Sequence, residues 1–292
     1  MQVWEQWESW RRLSSIAGDG LSSATVLGEQ ALRAMRLLVD YMHSFAPETF
    51  PDAALAAVAM LAKGQHSVAP IANLQNVVHL ACETDVETLS SELDDLLSRV
   101  HGTWGDLAVS AELITPGATV MVHSSSSTVM AMLLAATNEF RVVCTEALPG
   151  GEGREMASNL VERGFEVELL SNAEAANVVA GMDLILVGAD AIGPGRSINK
   201  VGTCELAEEA HAFDVPIYTV ASLAKVLPEE LFERAATEST YGASGAIPLG
   251  VGGLAEVVPL SWFSGVITEK GVITPGDLSK RATEQIVARS LR

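Results

Sequence analysis

The densest group of residues able to do chemistry lies in Gly188-Ala-Asp190-Ala-Ile-Gly-Pro-Gly-Arg-Ser-Ile-Asn199-Lys200-Val-Gly-Thr203, directly after the apolar run Leu184 to Val187. A carboxylate can give or take a proton, while an amide and an ammonium can orient and hold an oxyanion. A buried strand ending in such a carboxylate, then a glycine-punctuated loop and an Asn-Lys pair entering a helix, is the layout of a ligand site in an open α/β sheet. Asp190 is therefore the first candidate, with Gly188, Asn199 and Lys200 beside it. The same segment also reads as a tight strand-to-helix crossover, with Asp190 capping backbone amides and the glycines serving turn geometry alone.

Two further groups have suitable chemistry. Ser124, Ser125, Ser126 and Ser127 precede a helical stretch, where they can cradle a phosphate at the helix N-terminus or simply cap it. Cys144 ends a predicted strand just before Thr145-Glu146, on the same ligand-facing edge; a lone cysteine there is either a reactive thiol or a small buried hydrophobe. Cys204 follows Gly202-Thr203 at a helix start, where the dipole would lower its pKa, or it packs. With Cys82, the three cysteines are odd in number and form no CxxC, and the six histidines show no HExxH spacing. Neither a disulfide framework, a metal site nor another cofactor is expected.

The elements that must position these groups fall into two kinds. From Leu21 to about Val100 apolar residues recur at helical spacing, through Val26, Leu27, Leu32, Met35, Leu38, Val39 and Met42 and again through Leu55, Val58, Met60 and Leu61. After Thr115-Pro-Gly117 short β-rich runs alternate with helical stretches: Ala118 to His123, Phe140 to Thr145, Glu166 to Leu170, Leu184 to Val187, Ile217 to Ala221 and Val257 to Leu260. Such alternation implies right-handed βαβ units and a mostly parallel sheet with helices on both faces. The expectation is an α/β protein with an N-terminal helical domain over residues 1–110 and a Rossmann-like domain over 111–292. Trp4, Trp7 and Trp10 fall on one face of an N-terminal helix, which docks on the helical domain or on a partner.

A formal net charge of -19 argues against binding to nucleic acid or to anionic membranes, and leaves room for a local basic pocket. Every apolar run is interrupted short of the roughly 18 residues a membrane span needs. The acidic, aromatic start Met1-Gln-Val-Trp-Glu-Gln-Trp differs from a signal peptide, so a cytoplasmic location is expected.

The segment Gly188 to Thr203 resembles the signature of the aldose-ketose sugar-phosphate isomerases acting on methylthioribose 1-phosphate or ribose 1,5-bisphosphate. That family also contains the alpha, beta and delta regulatory subunits of eukaryotic translation initiation factor 2B. Gly117-Ala-Thr-Val-Met-Val-His-Ser124 resembles its strand ending in a His-Cys pair, and Thr145-Glu146-Ala-Leu-Pro149 with Glu152-Gly153 its TE-x-R-P...EG segment. Phe263-Ser-Gly-Val-Ile-Thr-Glu269-Lys-Gly271 is similar to its final I-I-TE-x-G helix end, and Ala69-Pro70 to Asn76 to its RP....L.N helix.

The resemblance implies that Asp190 is the acid/base aspartate and that Ser124 stands where the isomerases carry the catalytic cysteine; Cys144, on a neighbouring strand, either replaces that thiol or is a small buried hydrophobe. It places Asn199, Lys200, Ser125, Glu146 and Gly188 around the substrate. An alcohol is a far weaker acid than a thiol of pKa about 8.5, so Ser124 for cysteine forfeits much of a typical ~10²–10⁴-fold proton-transfer advantage. Ala69 and Leu148 stand where relatives carry arginines, and Gly18-Asp19-Gly20 lacks the arginine of an RGA turn, which removes strong phosphate contacts. Lys200, Lys225, Arg154 and Arg196 remain to hold one anionic group, although a surface salt bridge is the plainer reading of the last three.

Two functions stay open. One is isomerisation of a phosphorylated or modified pentose without a metal. The other is a non-catalytic regulatory subunit or sensor, using the same pocket for a phosphorylated sugar or a nucleotide, with a translation factor as partner. Either implies a homodimer or higher homo-oligomer, with Trp262, Phe263 and Ile267 lining the contact or filling the core.

Overall fold

The computed structural model describes residues 2–19, 23–65, 68–84, 86–101, 107–241 and 255–292. Its first part is helical: α1 (Glu8–Ala17), α2 (Ala24–Phe45), α3 (Asp52–Gly64), α4 (Ala69–Glu83), α5 (Leu89–His101) and the short α6 (Leu107–Ala111). The periodic residues of the sequence form its core, where Leu27, Leu32, Met35, Leu38, Val39 and Met42 of α2 meet Val58 and Leu61 of α3. Ser23 starts α2 by accepting the Val26 N–H. Trp4, Trp7 and Trp10 all pack against this core. They do so from two elements, because Trp7 is extended and separates α1 from a preceding 3₁₀ turn. Leu21 and Gly20 lie outside the described residues.

The second part is built on a seven-stranded sheet of β1 (Thr119–His123), β2 (Arg141–Thr145), β3 (Glu166–Leu170), β4 (Leu184–Val187), β7 (Ile217–Val220), β9 (Gly265–Thr268) and β10 (Gly271–Ile273). A second, antiparallel sheet contains β5 (Ala191–Gly193), β6 (Arg196–Lys200) and β8 (Ala255–Pro259). The strands alternate with α7 (Ser127–Ala135), α8 (Glu152–Glu162), α9 (Asn172–Val178), α10 (Thr203–Ala212), α11 (Glu229–Tyr241) and α12 (Pro275–Thr283). In the large sheet the order is β10-β9-β7-β4-β1-β2-β3, parallel except for the β9–β10 hairpin. The protein is thus α/β with a mostly parallel sheet. Every residue of β1 and β4 is buried, as expected of central strands covered on both faces. The edge strand β3 instead exposes Glu166 and Glu168, charges that discourage pairing with another edge.

The chain runs outward from β1 through β2 to β3, then returns to place β4 on the other side of β1. The crevice beyond the carboxyl ends of β1 and β4 is therefore the switch point at which such sheets bind ligands. Three expectations change on contact with the structure. Asn199 and Lys200 end a strand, β6, and the helix begins only at Thr203. The segment Phe263 to Gly271 forms β9 and the turn into β10 rather than a helix end. Val257 and Val258 belong to the second sheet. Of the two readings left open for Trp262, Phe263 and Ile267, core filling fits Phe263 and Ile267, which are buried, while Trp262 packs against the core and stays partly exposed.

The two parts interlock through α4 and the segment Leu223 to Val226. Asn73 donates from one amide nitrogen to the carbonyls of Ala224 and Val226, at 2.8 and 3.0 Å. Ala224 is buried in the helical core, while Ala69 is buried with Ala191, Leu227 and Phe232 of the sheet side. Both satisfied amide bonds and shared apolar packing hold this segment in register.

Candidate functional site

The turn after β4 carries Gly188, Ala189 and Asp190 under the N-terminus of α7. A Cβ on Gly188 would lie 2.9 Å from Ser126 Oγ and 3.1 Å from Ser126 Cβ, so only glycine passes there without displacing that serine. Asp190 then opens the β5–β6 hairpin, with its N–H donating to the Ile198 carbonyl at 2.8 Å. That hairpin turns the chain back and sets Asn199 and Lys200 beside the carboxylate, which explains how residues ten apart in sequence share one site.

Each polar neighbour is fixed. The Asn199 amide donates to Thr203 Oγ1 at 3.0 Å, and the Thr203 hydroxyl donates to the Lys200 carbonyl at 2.6 Å. Lys200 Nζ, buried, bonds Glu152 Oε1 at 2.8 Å. Glu152 Oε2 is buried and has no hydrogen-bond partner among the described residues. Lys225, also buried, donates from Nζ to the Ala189 carbonyl at 2.6 Å and faces Asp190. Burial raises the Asp190 pKa above the ordinary carboxylate value, Lys225 and Lys200 pull it back, and Glu152 pushes it up again. Burial lowers the Lys225 pKa against the opposing pull of Asp190. The result is a carboxyl that holds its proton more readily than a free aspartate, between two ammonium groups.

His123 ends β1 and is buried. Its Nε2 lies 2.9 Å from the Val201 carbonyl and its Nδ1 2.6 Å from Thr145 Oγ1. A carbonyl only accepts, so Nε2 carries the hydrogen and Nδ1 accepts from the threonine hydroxyl. Burial lowers the imidazole pKa to about 4, so the ring is neutral and braces the ends of β1 and β2 against the loop that follows β6.

Ser124 follows with a left-handed backbone, φ 66°. Such a conformation is uncommon for a residue with a Cβ and turns the chain sharply away from β1. The turn leaves Ser124 half-buried and Ser125 exposed, without hydrogen bonds from either hydroxyl among the described residues. The cap of α7 is Ser126, which accepts the Val129 N–H and lies 2.9 Å from Thr128 Oγ1; Ser124 does not perform that role.

The remaining candidates are placed differently. Cys144 lies wholly inside the apolar cluster of Val120, Met132 and Leu160, and burial pushes its thiol up to about 12. A thiol in that position keeps its proton, which corrects the expectation of a replacement acid/base group on the ligand-facing edge. Cys204 is partly exposed, and burial with Glu256 and Glu208 raises its pKa where the helix dipole was expected to lower it. Glu256 itself occupies that helix start, accepting the N–H groups of Gly202 and Cys204 at 2.8 Å each. Glu146 is on the ligand-facing edge, its Oε1 accepting from Arg154 Nη2 at 2.8 Å. Arg196, expected on the pocket side, bonds Glu229 and Glu233 and lies over the Phe232 ring at the far end of β6. The groups that sequence reasoning undervalued are Lys225, Glu152 and His123. The signal for Lys225 was its position directly after β7, in Ser-Leu-Ala-Lys.

The fold is matched in known proteins. Residues 83–275 match the Initiation factor 2 subunit family, and the chain belongs to that family. A relative from Pyrococcus horikoshii, whose name likens it to translation initiation factor eIF-2B subunit 2, is 30% identical over 220 residues, 72% of this chain and 76% of its own. A ribose 1,5-bisphosphate isomerase from Haloferax volcanii is 28% identical over 228 residues, 75% of this chain and 71% of its own. The crystal structure of a Pyrococcus horikoshii translation initiation factor eIF-2B shares the fold with a TM-score of 0.71 at 24% identity, covering 92% of this chain and 98% of that one.

Proposed function

We propose that this protein isomerises a phosphorylated pentose between its aldose and ketose forms at the β1/β4 crevice, with Asp190 as the acid/base group. The observation that carries the reading is the Asp190 carboxyl, held at the switch point between Lys225 and Lys200 with its pKa raised by burial. Aldose–ketose interconversion needs a proton moved from one carbon to its neighbour through an enediol, with a matching exchange between the two oxygens, so no electrons leave the substrate. A carboxyl with a raised pKa serves both directions of that transfer. Ser124, whose hydroxyl is open, is the partner for the oxygen-bound proton. Lys200, Asn199, Ser125, Glu146 and Gly188 line the substrate.

A second reading is favoured by one specific observation. Among the described residues no base bonds the Ser124 hydroxyl, and an unactivated alcohol is a poor proton carrier. On that reading the crevice binds a phosphorylated sugar or nucleotide as a sensor, and the protein acts as a regulatory partner of a translation factor. A homo-oligomer in the cytoplasm belongs to both.

The test is NMR of the wild type with ribose 1,5-bisphosphate, methylthioribose 1-phosphate, ribose 1-phosphate and nucleoside monophosphates, beside Asp190→Asn. Turnover that the substitution abolishes is the expected result. Binding without turnover would overturn the isomerase reading in favour of the sensor.

A further inference from the structure

The segment Thr268-Glu269-Lys270-Gly271 closes the β9–β10 hairpin, and the crevice described above uses none of it. Its shape is set by its own residues. The buried Thr268 hydroxyl donates to the Gly271 carbonyl at 2.9 Å and accepts the Lys270 N–H at 3.1 Å. Gly271 supplies the left-handed backbone, φ 86°, that lets the chain reverse. Glu269 is thus presented from a stiff turn, half-buried, and it accepts the Leu223 N–H with both oxygens, at 3.0 Å to Oε2 and 3.3 Å to Oε1. The sheet brings these two residues together. β7 and β9 are parallel neighbours in the register Val220↔Ile267, and the Ala221 N–H still bonds the Ile267 carbonyl at 3.0 Å, so the chain just beyond each strand meets the other.

Leu223 opens a 3₁₀ turn, Leu223–Lys225, and Ser222 before it makes no capping bond from its side chain. The first N–H groups of a helical turn have no partner within it, and Glu269 supplies one from another strand. The far end of the turn is held by Asn73, which donates to the Ala224 and Val226 carbonyls, and by Gln285, which donates to Val226 at 3.1 Å. Within it, the Lys225 N–H bonds the Ser222 carbonyl at 3.0 Å and the Val226 N–H the Leu223 carbonyl at 3.1 Å. Two residues after Leu223, Lys225 Nζ donates to the Ala189 carbonyl at 2.6 Å.

We propose that Glu269 is a positioning residue of the crevice: by holding the Leu223 N–H it fixes the turn that keeps the Lys225 ammonium on the Ala189 carbonyl and against Asp190. It acts through that turn and not through its own field. The charges that act on Asp190 are Lys225, Lys200 and Glu152, whereas those that act on Glu269 are Lys270 and Arg99, so the two carboxylates share none. The inference rests on the reading of Asp190 as the acid/base group, since it assigns the residue that keeps the opposing charge in place.

Carboxyl-carbon NMR of Asp190 through a pH titration, its signal assigned by its loss in Asp190→Asn, tests the role without substrate. Glu269→Ala removes the acceptor, and Glu269→Asp keeps the charge but shortens the reach by a methylene. Glu269→Gln discards the charge and keeps an oxygen able to accept the N–H. The alanine and aspartate variants should raise the Asp190 pKa, by roughly half or more of the rise that Lys225→Met produces, and the glutamine variant should stay near wild type. In the Lys225→Met background Glu269→Ala should add nothing. The sign is diagnostic, because loss of a negative charge that acted directly on Asp190 would lower its pKa. An Asp190 titration unmoved or lowered in the alanine and aspartate variants overturns the proposal, as does a full rise in the Lys225→Met background. Circular dichroism checks folding, and the aspartate variant, which keeps the charge and most of the side chain, carries the test if the alanine variant does not fold. Absence of turnover in the wild type would overturn the isomerase reading alone, because the titration is read without it.

Discussion

Lys225 reaches across from the turn after β7 to donate to the carbonyl of Ala189, the residue before Asp190. The bond does two jobs with one ammonium. It satisfies a backbone acceptor in a turn that has left its sheet, and it sets a positive charge against the Asp190 carboxylate at the switch point. Because Lys225 lies in the segment that Asn73 clamps from α4, the charge balance of the crevice depends on the helical part being docked.

Replacing Lys225 with methionine should therefore raise the Asp190 pKa further, since the largest opposing charge is gone while burial remains. Leaving the partner of a buried ion pair uncompensated costs about 3 kcal/mol of stability. Carboxyl carbon NMR through a pH titration reads the first effect and urea unfolding the second. An Asp190 titration that does not move would show that Lys225 is structural only.

His123 supplies a pH dependence with a definite sign. Its folded-state pKa, about 4, lies below the ordinary value of 6.5, so the fold favours the neutral ring. The stability it confers is complete above pH 6.5 and is lost as pH falls towards 4, by about 3 kcal/mol over that window. His123→Gln should flatten stability between these limits relative to wild type, measured by urea denaturation at steps from pH 7.5 to 4.5. Parallel curves for the two proteins would mean the ring accepts a proton without cost.

Much of this was legible in the sequence because strong periodicity and apolar runs report burial directly. The α2 stripe and the runs at β1, β2, β3 and β4 fall where expected, and the fold brings Asp190, Asn199 and Lys200 near one another. What failed did so for local physical reasons. Residues 191–200 look like a loop because Gly193 and Gly195 interrupt them, yet the antiparallel register Ala191↔Ile198 makes them a hairpin. Cys144 and Glu146 lie two apart, which in a strand would give them one face, but β2 ends at Thr145 and only Glu146 reaches solvent. Lys225 could not be weighed properly, since its burial is decided by α4, some 150 residues earlier in the chain.

Ser124→Cys tests the proton-transfer partner by restoring the chemistry that serine lacks. Sulfur is only modestly larger than oxygen, and Ser124 is half-buried. A thiol near pKa 8.5 exchanges protons far more readily than an alcohol, so isomerisation of ribose 1,5-bisphosphate should rise ~10²-fold or become detectable. Following the product by NMR decides it. No gain, in a variant that still binds the ligand, would remove Ser124 from the mechanism.

Gly188→Ala probes whether the turn after β4 and the start of α7 form one rigid unit. The added methyl would sit 2.9 Å from Ser126 Oγ, closer than the two atoms can tolerate, so either the cap or the Asp190 turn must shift. Loss of a serine cap costs ~1 kcal/mol and overpacking ~1–3 kcal/mol, so a total near 2 kcal/mol is expected. Ser126→Gly removes the atoms that the new methyl would strike. The double variant should then be more stable than the two single losses added together, a coupling that denaturation of all four proteins would measure. Additive losses would mean that the methyl is absorbed by moving the Asp190 turn instead, and weaker ligand binding in Gly188→Ala would accompany that outcome.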